Sequence, residues 1–222
     1  MESKKLAAEK AVEFVKDGMI VGLGTGSTAY FAIQKIGQKV KEGLSIRAIA
    51  TSNQSEELAK ELGIPLLPFA EIDEINVTID GADEVDVNWN LIKGGGGALL
   101  REKIVAAATK QLIIIVDESK LVKELGKFPL PVEIIPFGYE MTIRKLQKLG
   151  AEPVLRKAGD EVYVTDNGNY IADCHLGSIA QPDELHRMLN LIPGIVDNGL
   201  FIDMASVVIA GYVDGSVRQL EK

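Results

Sequence analysis

The sequence predicts an α/β fold: a parallel sheet covered on both faces by helices, with a second, smaller α/β domain. Three observations predict it. The first half alternates short apolar runs with helical stripes. Those runs are apolar throughout, as expected of strands buried on both faces. Near Phe128 the texture changes: "FPLPVEIIP" holds three of the eight prolines, and a β-α-β-β-α-β order follows.

Taken in order, Leu6, Ala7, Ala11, Phe14 and Val15 form a helical stripe that stops at Gly18. "MIVGLG" (19–24) reads as a buried strand, and "TAYFAIQKIGQKV" as a helix with Ile33, Ile36 and Val40 on one face. "IRAIA" (46–50) is the next strand. "NQSEELAKEL" (53–62) is a helix that Asn53 could cap, with Glu56 three residues on. "INVTID" (75–80) and "LIIIVD" (112–117) are strands joined by the helix "GALLREKIVAAATK" (97–110). After the prolines come the strand "VEII", the helix "EMTIRKLQKLG" and the strand "AEPVLR". "EVYVTDNGNYIADC" places Asn167-Gly168 between alternating runs, a hairpin signal. The helix "PDELHRMLNLI" and the strand "GIVDNGLF" complete a small ferredoxin-like, split-βαβ domain. The tail "ASVVIAGY" could rejoin the first sheet. The expected domains are therefore 1–128 plus 203–222, with 129–202 between them.

Composition bounds the function. With 222 residues, 46% hydrophobic and 25% charged, the chain is ordinary globular material. No apolar run approaches the ~20 residues that span a bilayer. The N-terminal "MESKKLAAEKAVEFVKDG" is amphipathic and lacks the continuous apolar core of a signal peptide. A net charge of −8 argues against nucleic acid, which needs a basic face, but not against an anionic small ligand. One cysteine, Cys174, permits no internal disulfide and fits a reducing compartment. Beside His175 it cannot build a zinc site, and it reads as a small buried hydrophobe.

Three stretches carry chemistry. Gly24-Thr25-Gly26-Ser27-Thr28-Ala29 matches the dinucleotide fingerprint G-x-G-x-x-A, yet no carboxylate ends the second strand, "ATSNQ" (50–54). What remains is a helix N-terminus with free amides and hydroxyls on Thr25, Ser27 and Thr28, suited to a terminal phosphate. The alternative is that Ser27 or Thr28 only caps the helix, but a cap would not require Gly22, Gly24 and Gly26 together. The second stretch is "TIDGADEVD" (78–86). Asp80 and Asp83 flank the tight turn Gly81-Ala82 and could face one pocket, against the alternative of plain turn chemistry. Glu84 and Asp86 read as solvated. A metal site is a further alternative, although the stretch fits no EF-hand spacing and no histidine lies near it.

The third is "LIKGGGGALLREK" (91–103). Gly94, Gly95, Gly96 and Gly97 let several amides converge on an oxygen-rich ligand and leave Lys93 able to reach across it. On a helical wheel Glu102 has Ala98, Leu99, Val105 and Ala106 as neighbours. Arg101 and Lys103 flank that arc, and Leu100 and Ile104 lie opposite, so the helix is apolar nearly all round and buried. Burial would raise the Glu102 pKa toward the range of a general base; the alternative is a structural salt bridge with a lysine. Lys120, in "VDESK", could face a phosphate, although by pattern alone it reads as a surface lysine.

With these residues in place, "GLGTGSTA", "DGADEVD", "LIKGGGGALLREKI", "DESK", "GKFPLPVEIIP" and "VTDNGNYI" resemble, in this order, the ribose-5-phosphate isomerase type A family. The resemblance covers nearly the whole chain and is most specific over 22–136. It implies a Rossmann-like domain with a smaller α/β domain, in homodimers or homotetramers. It also implies a cytoplasmic enzyme of the pentose phosphate pathway that interconverts D-ribose 5-phosphate and D-ribulose 5-phosphate with no metal or organic cofactor. By the same resemblance Glu102 is the base that moves a proton between C1 and C2 through an enediol(ate). Asp80 and Lys93 manage protons on the sugar oxygens and help to open the ring, and Asp83 holds a hydroxyl. Thr25, Gly26, Ser27 and Thr28 with Lys120 contact substrate, as do Gly81 and Ala82, and Lys93 to Gly96 form a backbone cradle. Two readings from other classes compete: a non-catalytic sugar-phosphate sensor, and a CoA-transferase-like enzyme with a Glu near a glycine loop.

Overall fold

The computed structural model describes residues 1–220; Glu221 and Lys222, at the end of the expected first domain, lie outside the described residues. The first half runs α1 (Glu2–Val12), β1 (Ile20–Leu23), α2 (Ser27–Lys41), β2 (Arg47–Ala50), α3 (Asn53–Leu62), β3 (Ile75–Gly81), β4 (Glu84–Val85), β5 (Leu91–Ile92), α4 (Leu99–Ala107) and β6 (Thr109–Asp117). The second half runs β7 (Leu130–Ile134), α5 (Tyr139–Lys148), β8 (Glu152–Leu155), β9 (Lys157–Ala158), β10 (Glu161–Val162), β11 (Tyr170–His175), α6 (Pro182–Asn190), β12 (Ile195–Asn198), β13 (Leu200–Phe201), β14 (Val207–Gly211) and β15 (Val217–Gln219). Two compact units result: Met1–Ala82, Arg101–Leu121 and Met204–Lys222 form one, and Asp83–Leu100 with Val122–Asp203 the other.

In the first unit the sheet order is β15-β14-β6-β3-β1-β2. All neighbours are parallel except the edge strand β15, which pairs antiparallel with β14. The tail strand thus completes a Rossmann-like sheet. One face, carrying Val21, Leu23, Val77, Ile79, Ile113 and Ile115, packs on Ala7, Ala8, Ala11 and Val12 of α1 and Ala32, Ile33 and Ile36 of α2. On the other face Val105 of α4 packs with Ile49 and Ile75. Gly22 is what admits α4 there, since a Cβ would lie 2.8 Å from Val105 Cγ1. Chain order reverses between β1 and β3: the chain leaves β1 for β2 on one side and later enters β3 on the other. The crevice beyond the carboxyl ends of such strands is where open α/β sheets bind ligands.

In the second unit the sheet order β12-β7-β11-β8 is antiparallel throughout, which is the split-βαβ arrangement. Leu130, Val132 and Ile134 of β7 join Leu146 of α5 and Leu189 of α6 in its core. Cys174 is buried in the same core, as its sequence reading holds. β5 pairs with β4 on one side and β13 on the other in a small sheet of this unit. That pairing is why 83–100 groups with the second unit, whereas the sequence reading places it in the first.

Other local expectations change for physical reasons. Ser52, not Asn53, is the N-cap of α3: its side chain accepts from the Ser55 amide. The hairpin forms one turn early, at Gly159-Asp160 between β9 and β10. β11 already has β7 and β8 on its two edges, so Asn167-Gly168 only closes a tight turn, with Gly168 N–H on Thr165 O at 2.9 Å. "GIVDNGLF" breaks into β12 and β13 at Gly199. There a Cβ would strike Pro131, and the residue's carbonyl accepts from Lys93 N–H. α4 is not apolar all round, because Ile104 is half exposed while Lys103 is buried.

Candidate active site

The loop after β1 and the end of β3 are bound together within the first unit. Thr25 N–H and Gly81 N–H both donate to Asp80 Oδ1, at 3.1 and 2.8 Å. Asp80 is 1% exposed. Gly24 must lack a side chain because a Cβ would sit 2.6 Å from the Asp80 Cα. Such an approach is the physical reason for glycine here.

The Thr25 hydroxyl turns inward. It meets Thr51 Oγ1 at 2.7 Å and Ser52 Oγ at 2.8 Å, and Ser55 Oγ donates to Gly24 O at 2.6 Å. This buried hydroxyl cluster explains why "ATSNQ" carries no carboxylate: its side chains hold the glycine loop. Of the three hydroxyls expected at a ligand, Thr25 is therefore structural. Gly26, with φ 103°, is the N-cap of α2, and no side chain caps that helix. The capping alternative for Ser27 and Thr28 does not apply. Ser27 is exposed, and its Oγ accepts from Lys4 Nζ at 3.0 Å. Gly24, Gly26 and Ser27 open on a cleft of about 770 Å³ that also has Lys4 and Ser55 on its wall.

α4 brings Glu102 to the same end of the sheet. The Ile75 amide at the start of β3 donates to Ala108 O at 2.8 Å, just past the end of α4. Val105 lies over Gly22 and Thr78, nearer the middle of the sheet. The helix thus runs against β3, and one turn before Val105, Glu102 stands toward the carboxyl end, where Asp80 is. Arg101 confirms the direction by donating to Asn53 Oδ1, at the start of α3, over 2.8 Å. Glu102 is 4% exposed.

The second unit holds the other expected residues. Asp83 N–H donates to Ile92 O at 2.8 Å, and Asp83 Oδ2 accepts from Gly95 N–H at 2.7 Å. The four glycines serve different ends. Gly94 and Gly97 take left-handed φ of 105° and 81°, while a Cβ on Gly95 would lie 2.6 Å from Asp83 Oδ1. Gly94 O accepts from Gly97 N–H at 3.0 Å, closing a turn with Gly95 and Gly96 at its corners. Lys93 is 2% exposed, with Nζ 5.4 Å from the Phe201 ring centroid.

The ribose 5-phosphate isomerase A (phosphoriboisomerase A) family model matches residues 47–215. The chain belongs to this family. The ribose-5-phosphate isomerase A of Bacillus thuringiensis subsp. konkukian is 57% identical over 216 residues, 97% of this chain and 98% of the relative. The solved ribose 5-phosphate isomerase A of Methanocaldococcus jannaschii is 43% identical with a TM-score of 0.94, over 99% of this chain and 98% of its own. A D-ribose-5-phosphate isomerase solved in complex with phospho-erythronic acid is 42% identical with a TM-score of 0.95, over 100% and 98%. As a ribose-5-phosphate isomerase A family member the chain is an aldose–ketose isomerase of the pentose phosphate pathway, which decides among the three readings left open by the residues.

Against this family assignment, several residues that sequence reasoning passed over matter. Lys4 adds a cation beside Ser27; its helical stripe gave no sign of it. Glu84 and Asp86 are not solvated but buried. The Glu84 carboxylate accepts from Gly126 N–H at 2.7 Å and Phe128 N–H at 2.6 Å. Asp86 accepts from the amides of Asn88 and Asn90, both at 2.8 Å. Arg156 and Tyr163 lie against the glycine turn and Asp173 binds Arg156, and only their distance along the chain hid them. Among the described residues no helix is long and apolar enough to cross a membrane.

Proposed function

We propose that the chain interconverts D-ribose 5-phosphate and D-ribulose 5-phosphate, with Glu102 as the base that carries a proton between C1 and C2 through an enediol(ate). The observation that carries this reading is the buried Glu102 carboxylate at the carboxyl end of β3, the end at which Asp80 is clamped and the α2 N-terminus is uncapped. Open-chain isomerisation needs one base over two adjacent carbons, donors for the enediolate oxygen and an anchor on the non-reacting phosphate.

In this reading the amides of Gly26, Ser27 and Thr28 meet the phosphate, helped by Lys4 and Lys120. Asp80 and Lys93 exchange protons with the sugar oxygens and assist ring opening. Asp83, with Gly81 and Ala82 beside it, takes a sugar hydroxyl. Gly94, Gly95 and Gly96 offer amides to the reacting end. Thr25 contributes its backbone while its hydroxyl holds the loop. Support comes from the relative solved with phospho-erythronic acid, an acid with a phosphate at one end and a planar carboxylate, like an enediolate, at the other. No metal or organic cofactor takes part in these steps. We also infer a cytoplasmic homodimer or homotetramer from family membership; light scattering after gel filtration gives the mass.

The test is ribulose 5-phosphate formation by the native chain and by Glu102→Gln. A positioned base contributes roughly 10²–10⁴-fold, so kcat should fall by that factor with little change in KM. Activity within a few-fold of native would end the assignment of Glu102 as base.

A further inference from the structure

Arg156 lies between β8 and β9 in the second unit, with its backbone fixed on both sides: its N–H donates to Ile171 O at 2.8 Å and its carbonyl accepts from Tyr163 N–H at 2.9 Å. The guanidinium is shared. Nε and Nη2 bind the two Asp173 carboxylate oxygens, the former at 2.9 Å. Nη1 donates to Gly94 O at 2.8 Å and to Gly95 O at 3.2 Å. The Tyr163 ring lies 5.9 Å from the guanidinium carbon, and its phenol closes off Gly97.

A trans peptide is planar, with C=O and the following N–H pointing in opposite directions. No peptide in the described chain is cis. Fixing Gly94 O on Arg156 therefore turns Gly95 N–H the other way, and that amide is indeed on Asp83 Oδ2 at 2.7 Å. Fixing Gly95 O on the same guanidinium turns Gly96 N–H away from Arg156 too. Gly95 and Gly96 are both exposed. Glycine has no side chain to lock these planes: Gly97 N–H holds Gly94 O from within the turn, and Arg156 holds both Gly94 O and Gly95 O from outside it.

We propose that Arg156 is a positioning residue for the isomerisation: it sets the peptide planes of the glycine turn, so that Gly95 N–H organises Asp83 and Gly96 N–H is presented as a donor to a substrate oxygen. Asp173 holds the guanidinium in that geometry, and only a planar fork can bind a carboxylate with one edge and two carbonyls with another nitrogen. Lysine, a point charge with one nitrogen, cannot do both. This inference rests on the proposal that the turn belongs to the active site.

The experiment compares Arg156→Met, Arg156→Lys, Arg156→Ala and Asp173→Asn with Glu102→Gln, by steady-state kinetics on ribose 5-phosphate and by thermal melting. A misaligned transition-state donor should lower kcat at least about tenfold in Arg156→Met, with KM within about threefold. Arg156→Lys should recover little of this, and millimolar guanidinium should restore part of the kcat of Arg156→Ala. A folded Arg156→Met with kcat within twofold of native overturns the proposal, as does a loss wholly in KM. If Arg156→Met does not fold, Asp173→Asn decides: native kcat there overturns the proposal, and a lowered kcat at native KM supports it. Should Glu102→Gln remain active, the active-site reading fails; an inactive Glu102→Gln beside a native-like Arg156→Met removes only the positioning role.

Discussion

The backbone amide of Thr25 donates to Asp80 Oδ1 over 3.1 Å, so the glycine loop after β1 and a carboxylate at the end of β3 are tied together. Gly24 makes the approach possible. Gly24→Ala should drive the new methyl into Asp80, cost about 1–3 kcal/mol of stability and lower kcat/KM by about 10²-fold. Urea denaturation and kinetics check the two effects, and a native-like enzyme would show that the clamp is dispensable.

Lys4 Nζ sits 3.0 Å from Ser27 Oγ and 3.9 Å from Asp117 Oδ2. In the proposed function this cation helps hold the phosphate, away from the reacting carbons. Lys4→Met should raise KM for ribose 5-phosphate about tenfold, more at low ionic strength, with kcat within about threefold. A kcat defect at unchanged KM would contradict an anchoring role.

The Glu84 carboxylate binds two backbone amides in the second unit. Glu84→Gln replaces one accepting oxygen by a donor that faces a donor. A loss of about 2–3 kcal/mol in the denaturation free energy is expected. A stability within 0.5 kcal/mol of native, on the order of an exposed substitution, would mean that the pair contributes nothing.

Burial pushes the Cys174 thiol up from 9.0 to about 12, with Asp173 adding to the rise. A raised pKa disfavours the thiolate in the folded chain. The associated stability is complete below pH 9 and is lost as pH climbs toward 12. At pH 8 the native protein should resist thiol reagents, and one thiol should react after denaturation. Rapid labelling of the native protein would show that the core around β11 opens.

The sequence by itself determined the elements and the chemistry of the loops. Continuous apolar runs separated by helical stripes specify a parallel sheet, and glycines beside Thr, Asp and Lys mark places where backbone approaches another group closely, as Gly24 does Asp80. Glu102 was legible as a carboxylate among apolar neighbours. Tertiary structure decided what lay beyond a few residues of chain. It turned the Thr25 hydroxyl into a loop support by setting Thr51, Ser52 and Ser55 around it. It buried Glu84 and Asp86, which look solvated in a row of acids, because amides elsewhere in the chain and in the following turn needed acceptors. It moved the hairpin from Asn167-Gly168 to Gly159-Asp160, since turn chemistry cannot act where both strand edges are taken. Arg156 lies 61 residues from Gly95, and no local pattern announces their contact. Periodicity and turn preference are properties of neighbours along the chain, whereas hydrogen-bond partners are fixed only when packing removes water from both groups.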